Sequence, residues 1–145
     1  MASLSKSERP KITIPLQSFD YALEILAALG LLSMLVLCVF HYGQLPEQIP
    51  THFGPDGRAD AFGSKSTLWI LPGLGTLMFV VMTFINRRPD RFNYTVKITP
   101  ENAERQYILA TRLIRLMKTF VMLIFAFLVW RTIETTRSEV EGLGF

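Results

Sequence analysis

The chain has 145 residues, half of them hydrophobic, with 15 basic against 12 acidic side chains and a net charge of +3. That length fits one domain, and a single cysteine, Cys38, excludes a disulfide framework within one chain. The basic residues flank apolar runs, with no zinc-ligand spacing and no aromatic RNA-binding strand beside them, which excludes a nucleic-acid module.

Residues 1–17 form a polar N-terminal segment, within which KITIPL (11–16) alternates enough to make a short strand. Ser18 or Asp20 is expected to cap a first helix, and Glu24 falls in its first turn, where a carboxylate suits the positive end. Residues 25–42 then run for eighteen positions without a formal charge. As a helix they would reach roughly 27 Å, close to the hydrocarbon thickness of a bilayer. A span over about 22–42 follows. Its length and the absence of a small-residue cleavage pattern make it a retained anchor rather than a cleavable signal peptide, and Cys38 within it is an apolar packing residue.

The insert 43–67 is polar and punctuated. Pro46 and Pro50 hold an extended entry. Gly54-Pro55-Asp56-Gly57 is a turn, with Pro55 presetting φ and Gly57 supplying a positive one, and Gly63-Ser64-Lys65 is a second. Thr51-His52-Phe53 and 58–62 should form a hairpin-like cap, with Phe53 and Phe62 dipping into the membrane interface.

Residues 68–85 are again eighteen positions free of charge and give a second span at about 68–86; Pro72, Gly73 and Gly75 predict a kinked or late-starting helix. In the loop 87–106, Phe92, Tyr94, Val96 and Ile98 alternate in strand fashion and could pair with KITIPL as a small ribbon. Thr99-Pro100-Glu101 signals a helix start with Thr99 as cap, and the third helix should run to about Thr132, spanning at about 108–131. Arg112, Arg115 and Lys118 near its start are expected to lay their stems in hydrocarbon and reach lipid headgroups. A short tail occupies 135–145.

The fold class is therefore an all-α integral membrane protein, a three-helix membrane domain over 18–134 with a short folded insert between helices 1 and 2. A soluble helical core is the competing reading, but two such uncharged runs are hard to bury in so short a chain. Orientation follows Lys and Arg in the flanking loops. Eleven basic residues precede the first span, lie between the second and third, or open the third; only Arg58, Lys65, Arg131 and Arg137 fall on the other side. The N-terminus and the loop carrying Arg87, Arg88, Arg91 and Arg105 should face the cytosol, and the insert and C-terminus should be extracytoplasmic.

His52, Asp56 and Asp60, with Glu47 or His41, offer ligand types for a divalent metal, the one cofactor the composition suggests. Their spacing matches no established motif, and calcium's twelve-residue loop pattern is absent. The plainer reading has Asp56 capping its own turn, Asp60 pairing with Arg58 or Lys65, and His52 bonding a backbone carbonyl. Ser64 lacks a nucleophile-elbow context and no phosphate-cradling glycine loop is present, so no enzymatic reaction is advertised.

The stretch LPEQIPTHFGPDGRADAFGSK, through Pro46, Ile49, Pro50, His52, Phe53, Gly57, Asp60, Gly63 and Lys65, resembles the bacterial membrane domain of unknown function at the N-terminus of SdpI-like immunity proteins. IPL before the first helix and NYTVKIT before the third are similar to short stand-alone members. The resemblance implies a multi-pass protein of the bacterial cytoplasmic membrane, and in immunity members protection against a secreted toxin with membrane capture of a cytosolic regulator. The expected function is non-enzymatic and immunity- or receptor-like, with His52, Phe53, Gly57, Asp60 and Lys65 forming a recognition surface. Its expected partners are the lipid bilayer and a peptide toxin or a membrane or cytosolic regulatory protein. The alternative is a metal-dependent or proton-coupled membrane enzyme or transporter component using His52 and Asp60.

Overall fold

A computed structural model describes residues 5–138. Three helices, α1 (Ser18–His41), α2 (Ile70–Ile85) and α3 (Ala103–Ser138), carry most of the described chain, and a two-stranded antiparallel hairpin, β1 (Gln48–Phe53) and β2 (Ala59–Ser64), joins α1 to α2. With their flanking 3-10 turns, all three helices are long and apolar enough to cross a membrane. Asp20 of α1 meets Arg112 of α3, and His41 of α1 meets Arg137 of α3. The two helices therefore run parallel and pack directly on one another, with α2 returning alongside them.

Large apolar side chains such as Ile25, Leu29, Val39 and Phe40 of α1, Leu77 and Phe84 of α2, and Leu113 and Phe120 of α3 point outward. In water such a surface would drive association; in hydrocarbon it needs no cover. Inside, the bundle is dry over most of its length. Ala27, Met34, Cys38, Leu68, Met122, Val129 and Ile133 form the main core, joined by Leu45 and Ile49 from the approach to the hairpin. Gly30 permits the close α1–α3 crossing, since a Cβ there would lie 3.1 Å from Met122 Cβ. Cys38 is buried and packs as expected.

At one end the interior turns polar. Arg112 Nε lies 3.1 Å from Asp20 Oδ1, and Arg112 also donates to the side-chain oxygen of Gln17. One turn further along, Lys118, with no exposed surface, donates to Glu24 Oε2 at 2.6 Å and to Thr83 Oγ1 at 2.9 Å, its ammonium resting 4.6 Å from the Phe79 ring centroid. Arg115 Nη1 reaches Asp20 at 3.5 Å, and its Nε stands 3.3 Å from Glu24 Oε1 as an ion pair without hydrogen-bond geometry. Lys118 thereby ties all three helices at one point. The expectation that these three cations snorkel to headgroups is overturned, because carboxylates one and two turns into α1 sit at the same level as α3's basic stretch. Glu24 is likewise a partner in this network rather than only a helix-end charge.

Several boundaries differ from the expected ones. The N-cap of α1 is Gln17, whose amide donates to Asp20 Oδ2 at 2.9 Å, so Asp20 reaches back from the first turn instead of capping the helix itself. As Pro72 predicts, α2 starts late: a 3-10 turn, Lys65–Trp69, precedes it and Pro72 occupies its first turn. α3 starts at Ala103 after a turn in which Asn102 Oδ1 accepts from the Thr99 amide, and it runs past Thr132 to Ser138. Of the expected tail, 135–138 belong to α3 and 139–145 lie outside the described residues.

No strand forms at 11–16 or 92–98; among the described residues the only strands are β1 and β2. The Arg9 guanidinium takes the carbonyls of Phe92 at 2.7 Å and Asp90 at 3.3 Å, the first of them in the expected strand. The two segments still meet through side chains, Ile12, Ile14 and Tyr94 packing on Ile98, Ala103 and Tyr107.

The polar layer holds two carboxylates, Asp20 and Glu24, against three cations, Arg112, Arg115 and Lys118. Glu24→Gln leaves those three facing one carboxylate and should destabilise by about 3–5 kcal/mol. Lys118→Met leaves a balanced two-against-two set and should cost less, about 1–3 kcal/mol. Denaturation of both variants in detergent, read by circular dichroism, checks the order.

Candidate functional site

The hairpin is built from its turn outward. Gly57 donates to the Gly54 carbonyl at 2.9 Å, Gly54 donates to the Arg58 carbonyl at 2.7 Å, and Gly57 adopts φ 77°. A three-residue loop with a left-handed glycine closes the strands, the conformation that Pro55-Asp56-Gly57 anticipates. Asp56 Oδ1 accepts from the Arg58 amide at 3.1 Å, so Asp56 caps its own turn.

The strands pair Gln48 with Ser64, Ile49 with Gly63 and Pro50 with Phe62, but the register slips on both sides of His52, which pairs with Ala61. That irregularity brings His52 and Asp60 onto one face, with His52 Nδ1 2.5 Å from Asp60 Oδ1. Both side chains are open, 67% and 53% exposed. The plainer expectation is thereby corrected: Asp60 pairs with neither Arg58 nor Lys65, and His52 bonds a carboxylate rather than a carbonyl. A Cβ on Gly54 would lie 3.0 Å from Asp56 Oδ1 and 3.3 Å from Asp60 Oδ2, so this glycine makes room for both carboxylates at the tip.

Lys65 is elsewhere. It pairs with Glu47 at 2.9 Å and lies 5.4 Å from the Tyr42 ring centroid, while its amide donates to the Glu47 carbonyl at 2.9 Å. Glu47 and Lys65 therefore clasp the base of the hairpin, and Ile49, 1% exposed, plugs that base into the bundle core. The five expected recognition residues fall into a tip group (His52, Phe53, Gly57, Asp60) and a base residue, Lys65. Phe53 is half-buried at the end of β1, and Phe62 is 63% exposed. Among the described residues no three His, Cys, Asp or Glu side chains converge to hold a metal ion. Asp56 faces the Arg58 amide, Glu47 faces Lys65, and His41 stands 3.4 Å from Arg137, so the candidate ligand set His52, Asp56 and Asp60 is not assembled.

The opposite end of the bundle is basic. Arg87 stacks on Phe84, its guanidinium carbon 4.7 Å from the ring centroid. Arg88 grips Asp90 through two contacts of 3.2 Å, and Arg91 stands near enough to add to the same field. Arg105 is exposed in the first turns of α3, apart from the cleft lined by Arg87 and Arg88. Two features here escaped the sequence reading, the Arg9 bonds and the Tyr94 hydroxyl, which donates to the Pro89 carbonyl at 2.9 Å. Burial pushes the Tyr94 phenol up to about 12, which keeps that proton in place.

Residues 29–76, the later part of α1, the hairpin and the start of α2, match a domain of unknown function, DUF1648. An uncharacterized protein of Archaeoglobus fulgidus is 42% identical over 60 residues, which cover 36% of this chain and 33% of that protein. The chain thus spans about a third of the length of the curated relative it matches. No solved structure matches.

Two outcomes follow from this geometry. Gly57→Ala forces a side chain into the left-handed region and should loosen the hairpin by about 1–2 kcal/mol; faster proteolysis confined to residues 54–58, with unchanged helix content, is the expected result. At the basic end, hydrogen bonding from Arg88 holds the Asp90 carboxyl below its ordinary value despite burial. A depressed carboxylate contributes stability above its unfolded value and loses it as pH falls through the folded one, so wild-type stability should decline below about pH 4. Asp90→Asn should show a shallower acid limb in unfolding midpoints measured against pH.

Proposed function

We propose that this chain is a non-enzymatic, immunity- or receptor-like multi-pass protein of the bacterial cytoplasmic membrane, with its hairpin presented outside the cytosol as a recognition element. The observation that carries the reading is the exposed His52–Asp60 pair at the tip of a hairpin fastened below by Ile49 and by the Glu47–Lys65 clasp. A donor–acceptor pair held on a rigid support recognises a partner at low entropic cost. Among the described residues, no other side chain bonds to that pair. The eleven-to-four distribution of basic residues supports a cytosolic N-terminus and an extracytoplasmic C-terminus. The resemblance of LPEQIPTHFGPDGRADAFGSK to SdpI-like immunity proteins supports a secreted peptide toxin as the ligand class, with a membrane or cytosolic regulatory protein as a further partner.

The second reading, a metal-dependent or proton-coupled enzyme or transporter component, draws on the same 2.5 Å His52–Asp60 contact. Its metal half lacks a third converging ligand among the described residues.

A strain lacking the protein, challenged with secreted antimicrobial peptides, should be protected by wild type and not by His52→Ala/Asp60→Ala inserted at equal level. Full protection by the double variant would remove the hairpin from the function. Stoichiometric metal in purified wild type that disappears in His52→Ala would instead establish the second reading. For topology, Asp56→Cys in a Cys38→Ser background should react with a membrane-impermeant thiol reagent in intact cells, and Arg91→Cys should not.

A further inference from the structure

We infer that the cleft at the basic end binds a phosphate group that carries its own hydrogen-bond donor, the chemistry of a glycerophospholipid headgroup such as phosphatidylglycerol. The inference rests on the bundle spanning a bilayer and is independent of what the hairpin recognises.

The cleft, about 420 Å³, lies between the extended segment 11–16, the turn that follows α2, and α3. Four cations line it, Lys11, Arg87, Arg88 and Arg115, against one carboxylate, Asp90, which Arg88 already grips in both contacts. Lys11 and Arg87 have no carboxylate partner among the described residues. Arg115 is 7% exposed, and the buried layer it belongs to has one more cation than carboxylates. An anion is the complement such a cleft lacks.

One atom narrows the ligand further. Asn86 Nδ2 donates to the Thr111 carbonyl at 3.2 Å, which fixes the amide's orientation. Its Oδ1 is buried with no protein partner, and Asn86 is one of the residues that line the cleft. A bare anion would set acceptor against acceptor there, whereas a headgroup hydroxyl or ammonium would satisfy it. Position supplies the remaining argument. Residues 86–90 follow directly on the last apolar turn of α2, and residues 11–16 directly precede α1, so the cleft opens at the depth of the phosphate layer. Basic pockets between spans at that depth suit lipid headgroups.

The test uses full-length protein in neutral detergent, with native mass spectrometry and short-chain dihexanoyl phosphatidylglycerol, dihexanoyl phosphatidylcholine and inorganic phosphate as probes. Wild type should retain phosphatidylglycerol, and phosphatidylcholine, which has no headgroup donor, more weakly. Lys11→Gln/Arg87→Gln should weaken phosphatidylglycerol about tenfold or more. Lys97→Gln/Arg105→Gln, which removes equal charge from exposed positions outside the cleft, should change it less than about twofold. Equal weakening by both pairs would reduce the effect to diffuse surface charge and overturn the inference, as would no retention of any phosphate by wild type. Inorganic phosphate bound as tightly as the lipid would uphold the phosphate site and make its source soluble. Failure on any arm leaves protection by the hairpin unaffected, because no residue is shared.

Discussion

The buried ammonium of Lys118 is the interaction on which the arrangement of the three helices depends. Between apolar helices in hydrocarbon the hydrophobic effect offers no preference for one packing over another, since lipid tails are as apolar as leucine. Van der Waals fit and polar contacts must then choose. Lys118 makes contacts that only one arrangement satisfies: Glu24 on α1 at 2.6 Å, Thr83 on α2 at 2.9 Å and the Phe79 ring beside it. Sliding α3 by one turn toward the hairpin end of α1 would carry Lys118 toward Ala27, where no carboxylate waits, and strand a charge in a low-dielectric interior. The same slip would drive the Met122 backbone away from Gly30, the one position where α1 lets it approach so closely.

That fixed register is what gives the far end its shape. With α1 and α3 locked in parallel near Glu24, His41 and Arg137 arrive at the other end at matching heights, and Leu45 and Ile49 find a ready socket among Cys38, Leu68 and Val129. Strands as short as β1 and β2 are marginal alone. Here the base is seated in the bundle and clasped by Glu47 and Lys65, so the irregular register around His52 can persist and hold the imidazole against Asp60. A charged layer at one end of the bundle thus supports a polar pair at the other through rigid helices rather than through direct contact.

The spans and the hairpin were legible because their signals are local. Eighteen uncharged residues have few uses besides crossing a bilayer, and Pro55-Asp56-Gly57 specifies its turn through backbone preferences alone. The late start of α2 was visible in Pro72 for the same reason. What escaped was everything that depends on alignment between distant segments. Asp20 and Arg112 are 92 residues apart, Glu24 and Lys118 are 94, and neither helix announces which face or depth the other will present. Periodicity therefore made lipid anchors of cations that are interior clamps. The alternation in 92–98 misled in the complementary way: Tyr94 and Ile98 do face a common core, but no ladder forms and the Phe92 carbonyl goes to the Arg9 side chain. His52 and Asp60 were singled out by residue type, and their contact depends on a register slip that no spacing rule encodes.

The extent of the family likeness divides the molecule along a physical boundary. Residues 29–76 take in the dry half of α1, the hairpin and the start of α2, while Asp20, Glu24, Thr83, Arg112, Arg115 and Lys118 all lie outside that match. The matched portion contains part of α1 and part of α2, and Ile49, Cys38 and Leu68 are buried in one cluster with the Val129 and Ile133 that α3 supplies. Anything this segment does at its hairpin therefore requires a third helix in register, and here the register comes from flanking residues the match does not include. The match accordingly takes in the hairpin and the helix ends that seat it, whereas the clamp that sets the register of α1 against α3 lies in the flanking parts of the chain.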